Sequence, residues 1–376
     1  MHPSLQLYFE RYSSNDAPFM HMLLSQWRQE RPLEGIKVLH HVPVVTNTLL
    51  KIACLIEAGA DVTVTNPSFL EAHDEAVSAL NDAGVRYVTN LRSLSGEPFD
   101  IYFDCGAELY KCLGAPTIGS IELTGSGDDY YRKQSLSFPV ISIDRTLTKQ
   151  LETVFGCAKG VSQALEQLTG FSQAQKNWLI FGFGKIGRGI AYFGKQSNSN
   201  VTIVDISLNQ REAARQLGLN AVDPNNKSQL RTALLNADLV ITATGVENLL
   251  SRFPSDWFED KFLANMGVLD EFGPNFRPEE VLNKKLPINF VLKDPTPMLY
   301  IDPEFYLHNS ASLSLLKDQL NPGVHSPNSE FDRNLITQWA LFHQFNQEII
   351  ARWFIPFNIS SAHEEHNTPI HPLMPV

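Results

Sequence analysis

The residues best spaced for chemistry are three glycines, Gly182, Gly184 and Gly187, in the run Leu179-Ile180-Phe181-Gly182-Phe183-Gly184-Lys185-Ile186-Gly187. An apolar run enters this motif and a helix-compatible segment leaves it. Val201-Thr202-Ile203-Val204-Asp205 follows and ends on an acid. Strand, glycine turn, helix and a second strand closed by a carboxylate make up the pattern that binds a dinucleotide. The first glycine permits the tight turn, the second lets the main chain approach a pyrophosphate, and the third lets helix and strand pack closely. Lys185 and Ile186 fill the turn, and the free N–H groups of the helix start face the phosphates. Asp205 accepts ribose hydroxyls in this pattern and repels a 2′-phosphate, so the expected cofactor is NAD rather than NADP. Two further segments, Thr242-Ala243-Thr244-Gly245 and Asn265-Met266-Gly267, place small or polar residues at strand ends. A doubly wound sheet opens its ligand crevice there.

These residues need elements to hold them, and the periodicity supplies two series. In the first, strands read as Ile36 to His40, Asp61 to Thr65, Arg86 to Thr89, Ile101 to Asp104 and Val140 to Ile143. Helices Thr46 to Ala58 and Glu71 to Ala83 lie between them and stop at Gly59 and Gly84. The second series runs through Leu179 to Phe181, Val201 to Val204, Leu239 to Thr242, Phe262 to Met266 and Ile288 to Leu292. A helix from Thr146 to Leu168 connects the two. An aromatic-rich helix, Asn334 to Phe354, follows, and the tail from Pro356 to Val376 reads as disordered or draped over the surface. The expected fold class is α/β: two doubly wound parallel-sheet, Rossmann-like domains, with the C-terminal helix returning to the first.

Composition narrows the function classes. The 376 residues carry 30 Lys+Arg against 41 Asp+Glu, a net charge of -11 with no basic run of five, which disfavours nucleic acid and anionic membranes as partners. Four scattered cysteines fit free thiols in a reducing compartment, and no segment has the length or apolarity of a signal peptide or membrane span. The expectation is a cytoplasmic protein. His363-Glu364-Glu365-His366 lacks the HExxH spacing, and no metal site is expected.

Over roughly residues 30 to 345 the chain resembles the S-adenosylhomocysteine hydrolase family. The matching pieces keep the family's order: Gly59-Ala60-Asp61-Val62, His73-Asp74-Glu75-Ala76-Val77, Asp104-Cys105-Gly106-Ala107-Glu108, Gly119-Ser120-Ile121-Glu122-Leu123-Thr124, and Thr148-Lys149 leading to Phe155-Gly156-Cys157. The glycine motif, Thr242 to Gly245 and Asn265 to Gly267 then follow. The resemblance implies a substrate-binding domain at 1–156, with 326–376 returning to it, around an NAD-binding domain at 157–325. It also implies chain crossings near Thr146 to Cys157 and His325 to Asp332 that act as hinges.

In that family, bound NAD oxidises a ribose hydroxyl, proton-moving side chains release the thiol and add water, and the hydride returns. Carried over by motif, the candidate catalytic residues are His41, Asp104, Glu122, Lys149 and Glu152, and Thr124 and Asn309 join the cofactor set. Several proton carriers have changed. Cys105 stands where the family has an acid, Leu123 replaces a glutamate, Val268 a histidine, and Lys149 is followed by Glu152-Thr153 instead of Asp-Asn. The family's C-terminal segment, which reaches a neighbouring subunit, has no counterpart, so a homodimer is expected rather than a tetramer. The resemblance thus implies an NAD-dependent enzyme acting on a nucleoside-like or hydroxylated small molecule, with true adenosylhomocysteine hydrolysis disfavoured. An ordinary NAD-dependent dehydrogenase and a non-catalytic NAD-loaded binding or regulatory protein remain alternatives.

Overall fold

The computed structural model describes residues 1–170 and 174–355. The chain divides into two compact units. Unit 1 comprises Met1–Lys149 and Met298–Phe345, and unit 2 comprises Gln150–Pro297 and the stretch that begins at Asn346. The tail read from Pro356 onward lies outside the described residues.

Unit 1 is built on seven strands: β1 Lys37–His41, β2 Asp61–Thr65, β3 Arg86–Tyr87, β4 Ile101–Asp104, β5 Gly119–Glu122, β6 Pro139–Ser142 and, far along the chain, β13 Gly323–His325. Their order is β13-β6-β5-β4-β1-β2-β3, and every pair is parallel. Unit 2 has β7 Asn177–Phe181, β8 Asn200–Val204, β9 Asn220–Val222, β10 Leu239–Thr242, β11 Phe262–Asn265 and β12 Leu282–Pro287, in the order β12-β11-β10-β7-β8-β9 and again parallel. The central strands are buried along their whole length, as apolar runs joined by helical crossovers require. Each sheet therefore has one switch point, where the chain leaves one strand and returns on its other side. It lies between β1 and β4 in unit 1 and between β7 and β10 in unit 2, and the carboxyl ends of those strands are where a doubly wound sheet takes its ligand.

Several boundaries differ from the sequence reading. The expected NAD-binding span to residue 325 ends at Pro297, because Met298–Lys317 is a helix of unit 1 and β13 pairs with β6. The second chain crossing is accordingly at Pro297/Met298 rather than near His325 to Asp332. Pro303 disguises that helix in the sequence. A proline has no N–H to give to the carbonyl four residues earlier, and the Leu299 carbonyl accepts from Trp339 Nε1 at 2.7 Å instead. The single helix read over Asn334 to Phe354 is two, Ser329–Phe342 in unit 1 and Gln347–Trp353 in unit 2, broken where Gln344 takes a left-handed backbone. Ile288 to Leu292, read as a strand, is a short 3-10 turn, Ile288–Val291. The connecting helix is a short α-turn Leu147–Gln150, a π-helical stretch Leu151–Cys157 and an α-helix Ala158–Thr169.

Candidate functional site

The glycine turn of unit 2 has the shape its sequence demands. Gly182 sits at φ 95, and a Cβ there would lie 2.5 Å from the Ala243 carbonyl oxygen. Gly187 allows the following helix, Lys185–Gln196, to pack so closely that a Cβ would meet the Gly182 carbonyl oxygen at 2.1 Å. Gly184 differs from both. It caps the helix with no side-chain hydrogen bond, and a Cβ on it would meet nothing within 4 Å. A helix start with no side-chain cap, beside a glycine whose Cβ position is open, is the setting a pyrophosphate needs. The main-chain environment fits a dinucleotide.

Asp205 ends β8 next to this turn. Its Oδ2 accepts from the Phe183 main chain and its Oδ1 from Ser207, each at 2.8 Å, so the carboxylate braces the turn as well as offering lone pairs to a ribose. Arg211 locks the same loop from below, donating to the carbonyls of Asp205 and Ile206 and pairing with Asp223. Ile206 and Val246, at the ends of β8 and β10, are apolar and exposed.

The other predicted cofactor residues divide by role. Thr242 Oγ1 donates to Asn265 Oδ1, and Asn265 Nδ2 donates to the carbonyls of Gly267, Leu269 and Lys285. Asn265 is thus consumed in shaping its loop. Thr244 and Gly245 point their N–H groups at a residue the sequence reading missed: buried Glu271 accepts from both, and from Thr244 Oγ1 at 2.6 Å. Gly267 lies close enough that a Cβ would strike Glu271 Oε1 at 2.3 Å. Burial raises the Glu271 carboxyl above its ordinary range while these donors pull it back. A lone glutamate after an Asn-x-Gly turn carries no sequence signature, so only the fold reveals it. Thr124 and Asn309 belong to unit 1, whereas the glycine set belongs to unit 2. Thr124 caps the helix Gly125–Tyr131, and Asn309 Nδ2 donates to the Lys51 carbonyl.

In unit 1, His41 closes β1 at the switch point. Its Nδ1 is 2.7 Å from Thr65 Oγ1 and its Nε2 3.2 Å from Glu108 Oε2, while Glu108 also accepts from the main chain and hydroxyl of Ser68. Burial would raise the Glu108 carboxyl, but the donors from His41 and Ser68 outweigh it and hold it below the usual range. A histidine oriented by a carboxylate is an arrangement that moves protons. In the sequence Glu108 ends a family-like motif without a role of its own, and the crossover from β4 brings it to His41.

Asp104 and Glu122 serve the turn between β4 and the helix Glu108–Leu113. Asp104 accepts from the main chains of Cys105, Leu109 and Tyr110 and from the Tyr131 hydroxyl. Glu122 accepts from Gly106, Ala107 and Thr124 main chains and the Thr124 hydroxyl. That turn needs bracing because Gly106 and Ala107 both have positive φ. Burial, then the neighbouring Asp104 charge, pushes the Glu122 carboxyl up to about 7. Cys105 is buried with its thiol raised well above its ordinary range by burial, which makes it inert rather than nucleophilic.

Lys149 Nζ donates to buried Glu304 Oε1 at 2.9 Å within unit 1. Glu152 belongs to the π-helical stretch of unit 2, where Cys157 Sγ and Thr296 Oγ1 donate to its Oε1. Glu304, the carboxylate that Lys149 reaches, lies far along the chain on the helix Met298–Lys317.

No family profile matches the chain. Among curated proteins it is similar to an S-inosyl-L-homocysteine hydrolase of Methanopyrus kandleri, 28% identical over 284 residues, covering 69% of this chain and 65% of that protein. An adenosylhomocysteinase of Archaeoglobus fulgidus is 27% identical over 267 residues, covering 64% of each. An S-inosyl-L-homocysteine hydrolase of Methanosarcina mazei is 24% identical over 370 residues, 85% of this chain and 88% of that protein. The chain thus matches just under two thirds of the length of the first two. Among solved structures, a dipicolinate synthase chain from Bacillus halodurans and a phosphoglycerate oxidoreductase from Vibrio cholerae O395 superpose with TM-scores of 0.39 and 0.38, at 12% and 17% identity. They cover 62% and 67% of this chain and 83% and 78% of theirs.

Proposed function

We propose that this chain, a divergent relative of the adenosylhomocysteinases and S-inosyl-L-homocysteine hydrolases, is an NAD-dependent enzyme that acts on a nucleoside-like small molecule. The observation that carries the reading is the arrangement at the switch point of unit 2: an uncapped helix start, open space at Gly184, and Asp205 fixed beside the turn. NAD, when bound, supplies a hydride acceptor that a ring hydroxyl can reduce and that can return the hydride. Unit 2 holds the dinucleotide through main-chain N–H groups and Asp205. In unit 1, His41 shuttles a proton under the control of Glu108, and the Lys149–Glu304 pair supplies a second proton-handling group.

Adenosylhomocysteine itself is a poor fit. Positions 105, 123 and 268 carry Cys, Leu and Val, and Asp104 and Glu122 are engaged with main-chain N–H groups. The same engagement favours one other reading, an NAD-loaded binding protein without turnover. The experiment that separates them is incubation of the NAD-saturated protein with a nucleoside library while both product and reduced cofactor are followed. Product without net NADH supports the proposed cycle, net NADH marks an ordinary dehydrogenase, and neither points to the binding protein.

A further inference from the structure

The proposed function gives His41 a proton to carry, and its surroundings distinguish the two ring nitrogens. His41 and Thr65 are register partners at the ends of β1 and β2. Paired parallel strands turn both side chains to one face of the sheet, and His41 Nδ1 lies 2.7 Å from Thr65 Oγ1. The other nitrogen, Nε2, meets Glu108 Oε2 at 3.2 Å. His41 and Thr65 are both buried.

A neutral imidazole donates from one nitrogen and accepts at the other. Glu108 accepts from the Ser68 main chain on Oε2 and from the Ser68 hydroxyl on Oε1, each at 2.9 Å. Together with His41 these donors outweigh burial and hold the carboxyl below its ordinary range, so it is ionised at neutral pH and can only accept. The hydrogen shared with Glu108 therefore sits on Nε2. At the opposite nitrogen, Nδ1 is the one hydrogen-bond partner of the Thr65 hydroxyl among the described residues. A Thr65 that accepted would leave its own buried proton unpaired, so it donates and Nδ1 accepts. Glu108 and Thr65 thus demand the same tautomer independently. The loop that presents Ser68 is itself braced: Asn66 Oδ1 accepts from the Val44 main chain, and its Nδ2 donates to the carbonyls of Pro67 and Leu70.

We propose that Thr65 and Ser68 are positioning residues that fix His41 in its Nε2–H form, making Nδ1 the atom at which this histidine gains and loses its proton. Thr65 acts on Nδ1 directly, and Ser68 acts through Glu108. When Nδ1 takes a proton, the Thr65 hydroxyl turns to accept from it and the new charge stands against the Glu108 carboxylate. No other bond forms or breaks. The proposal rests on the reading of His41 as a proton carrier and specifies the atom it uses.

The test is nitrogen-resolved NMR of the isotopically labelled full chain, with and without NAD, the His41 ring signals being assigned by their loss in His41→Gln. Where the ring is neutral, the Nε2–H form should exceed the Nδ1–H form by about tenfold or more, the worth of one charge-assisted hydrogen bond. On acidification the Nδ1 signal should move to the N–H type while Nε2 keeps its hydrogen. Thr65→Val, close in shape and without the hydroxyl, should shift the Nδ1 signal and leave Nε2 protonated. Ser68→Ala should lower the tautomer ratio, and Ser68→Thr should restore it. A predominant Nδ1–H form in the unmodified protein, an Nδ1 signal indifferent to Thr65→Val, or a ratio unchanged in Ser68→Ala overturns the proposal. If a variant does not fold, the two ring signals of the unmodified protein decide alone. Failure of NAD binding would count against the wider reading and leave the tautomer result standing.

Discussion

Replacing Gly184 by Ala separates the cofactor site from the fold. The backbone at Gly184, φ -75 and ψ -162, is extended and open to any residue, and the added methyl group meets nothing within 4 Å. Alanine is a poorer helix cap than glycine by ~1 kcal/mol at most. It also lowers the entropy of the unfolded chain, a gain of ~0.4–1 kcal/mol. The two nearly cancel, so the melting temperature of the nucleotide-free protein should shift by no more than about 3 °C. The space that the methyl fills is where the pyrophosphate would approach the helix start. Displacing it by a methyl radius removes at least one charge-assisted hydrogen bond, ~1.5–3 kcal/mol, or roughly a ten- to hundredfold loss of NAD affinity. Calorimetry gives the affinity, and melting curves with and without NAD give the stability. Gly187→Ala is the contrast: its Cβ would lie 2.1 Å from a main-chain oxygen, so it should lose ~1–3 kcal/mol of stability together with NAD binding. A Gly184→Ala protein that binds NAD as well as the original would refute the placement of the pyrophosphate.

Asp205→Asn should weaken NAD by ~1.5–3 kcal/mol and narrow the preference over NADP. Asn disturbs the turn less than Ala, because it keeps one of the two acceptors that hold the Phe183 and Ser207 main chains; paired calorimetric titrations check it, and an unchanged NAD-to-NADP ratio would remove Asp205 from the ribose. Glu304→Ala removes a carboxylate to which buried Lys149 donates, which should lower stability in urea unfolding, whereas the double change Lys149→Met with Glu304→Leu should restore part of the loss. Additive losses would show that the pair is not coupled. Asp302, whose oxygens accept from the Phe19 and Met20 main chains, is pushed by burial up to about 8. A carboxyl raised on folding stabilises below its unfolded value near 3.8, and that contribution is lost as pH rises towards about 8. The stability difference between the original and Asp302→Asn should therefore fall across this interval in melts taken as a function of pH, and a flat difference would contradict it.

Much of the fold is legible in the sequence because its strands are apolar runs cut by glycines. β1, β2, β4 and β10 can be read almost to the residue, and the glycine turn announces its own geometry. The elements that escape are those whose pattern is carried by something non-local. β13 is three residues that become a strand only by pairing with β6, and Met298–Lys317 hides behind Pro303, whose missing bond is supplied forty residues away by Trp339. The site shows the same division. Gly182, Gly184, Gly187 and Asp205 act through main-chain geometry that spacing encodes. Glu108, Glu271 and Glu304 act through contacts made by crossovers, so no spacing reveals them. Asp104 and Glu122 are acids in a family motif whose oxygens accept from main-chain N–H groups of the turn at Gly106 and Ala107, a contact their spacing does not reveal.

The most direct measurement of the central claim is a calorimetric titration of NAD and NADP into the full chain stripped of bound nucleotide. The account predicts saturable binding of NAD at a single site, with NADP weaker by about tenfold or more, the cost of setting a 2′-phosphate against the Asp205 carboxylate. Folded protein that binds neither dinucleotide, or binds both equally, would contradict it.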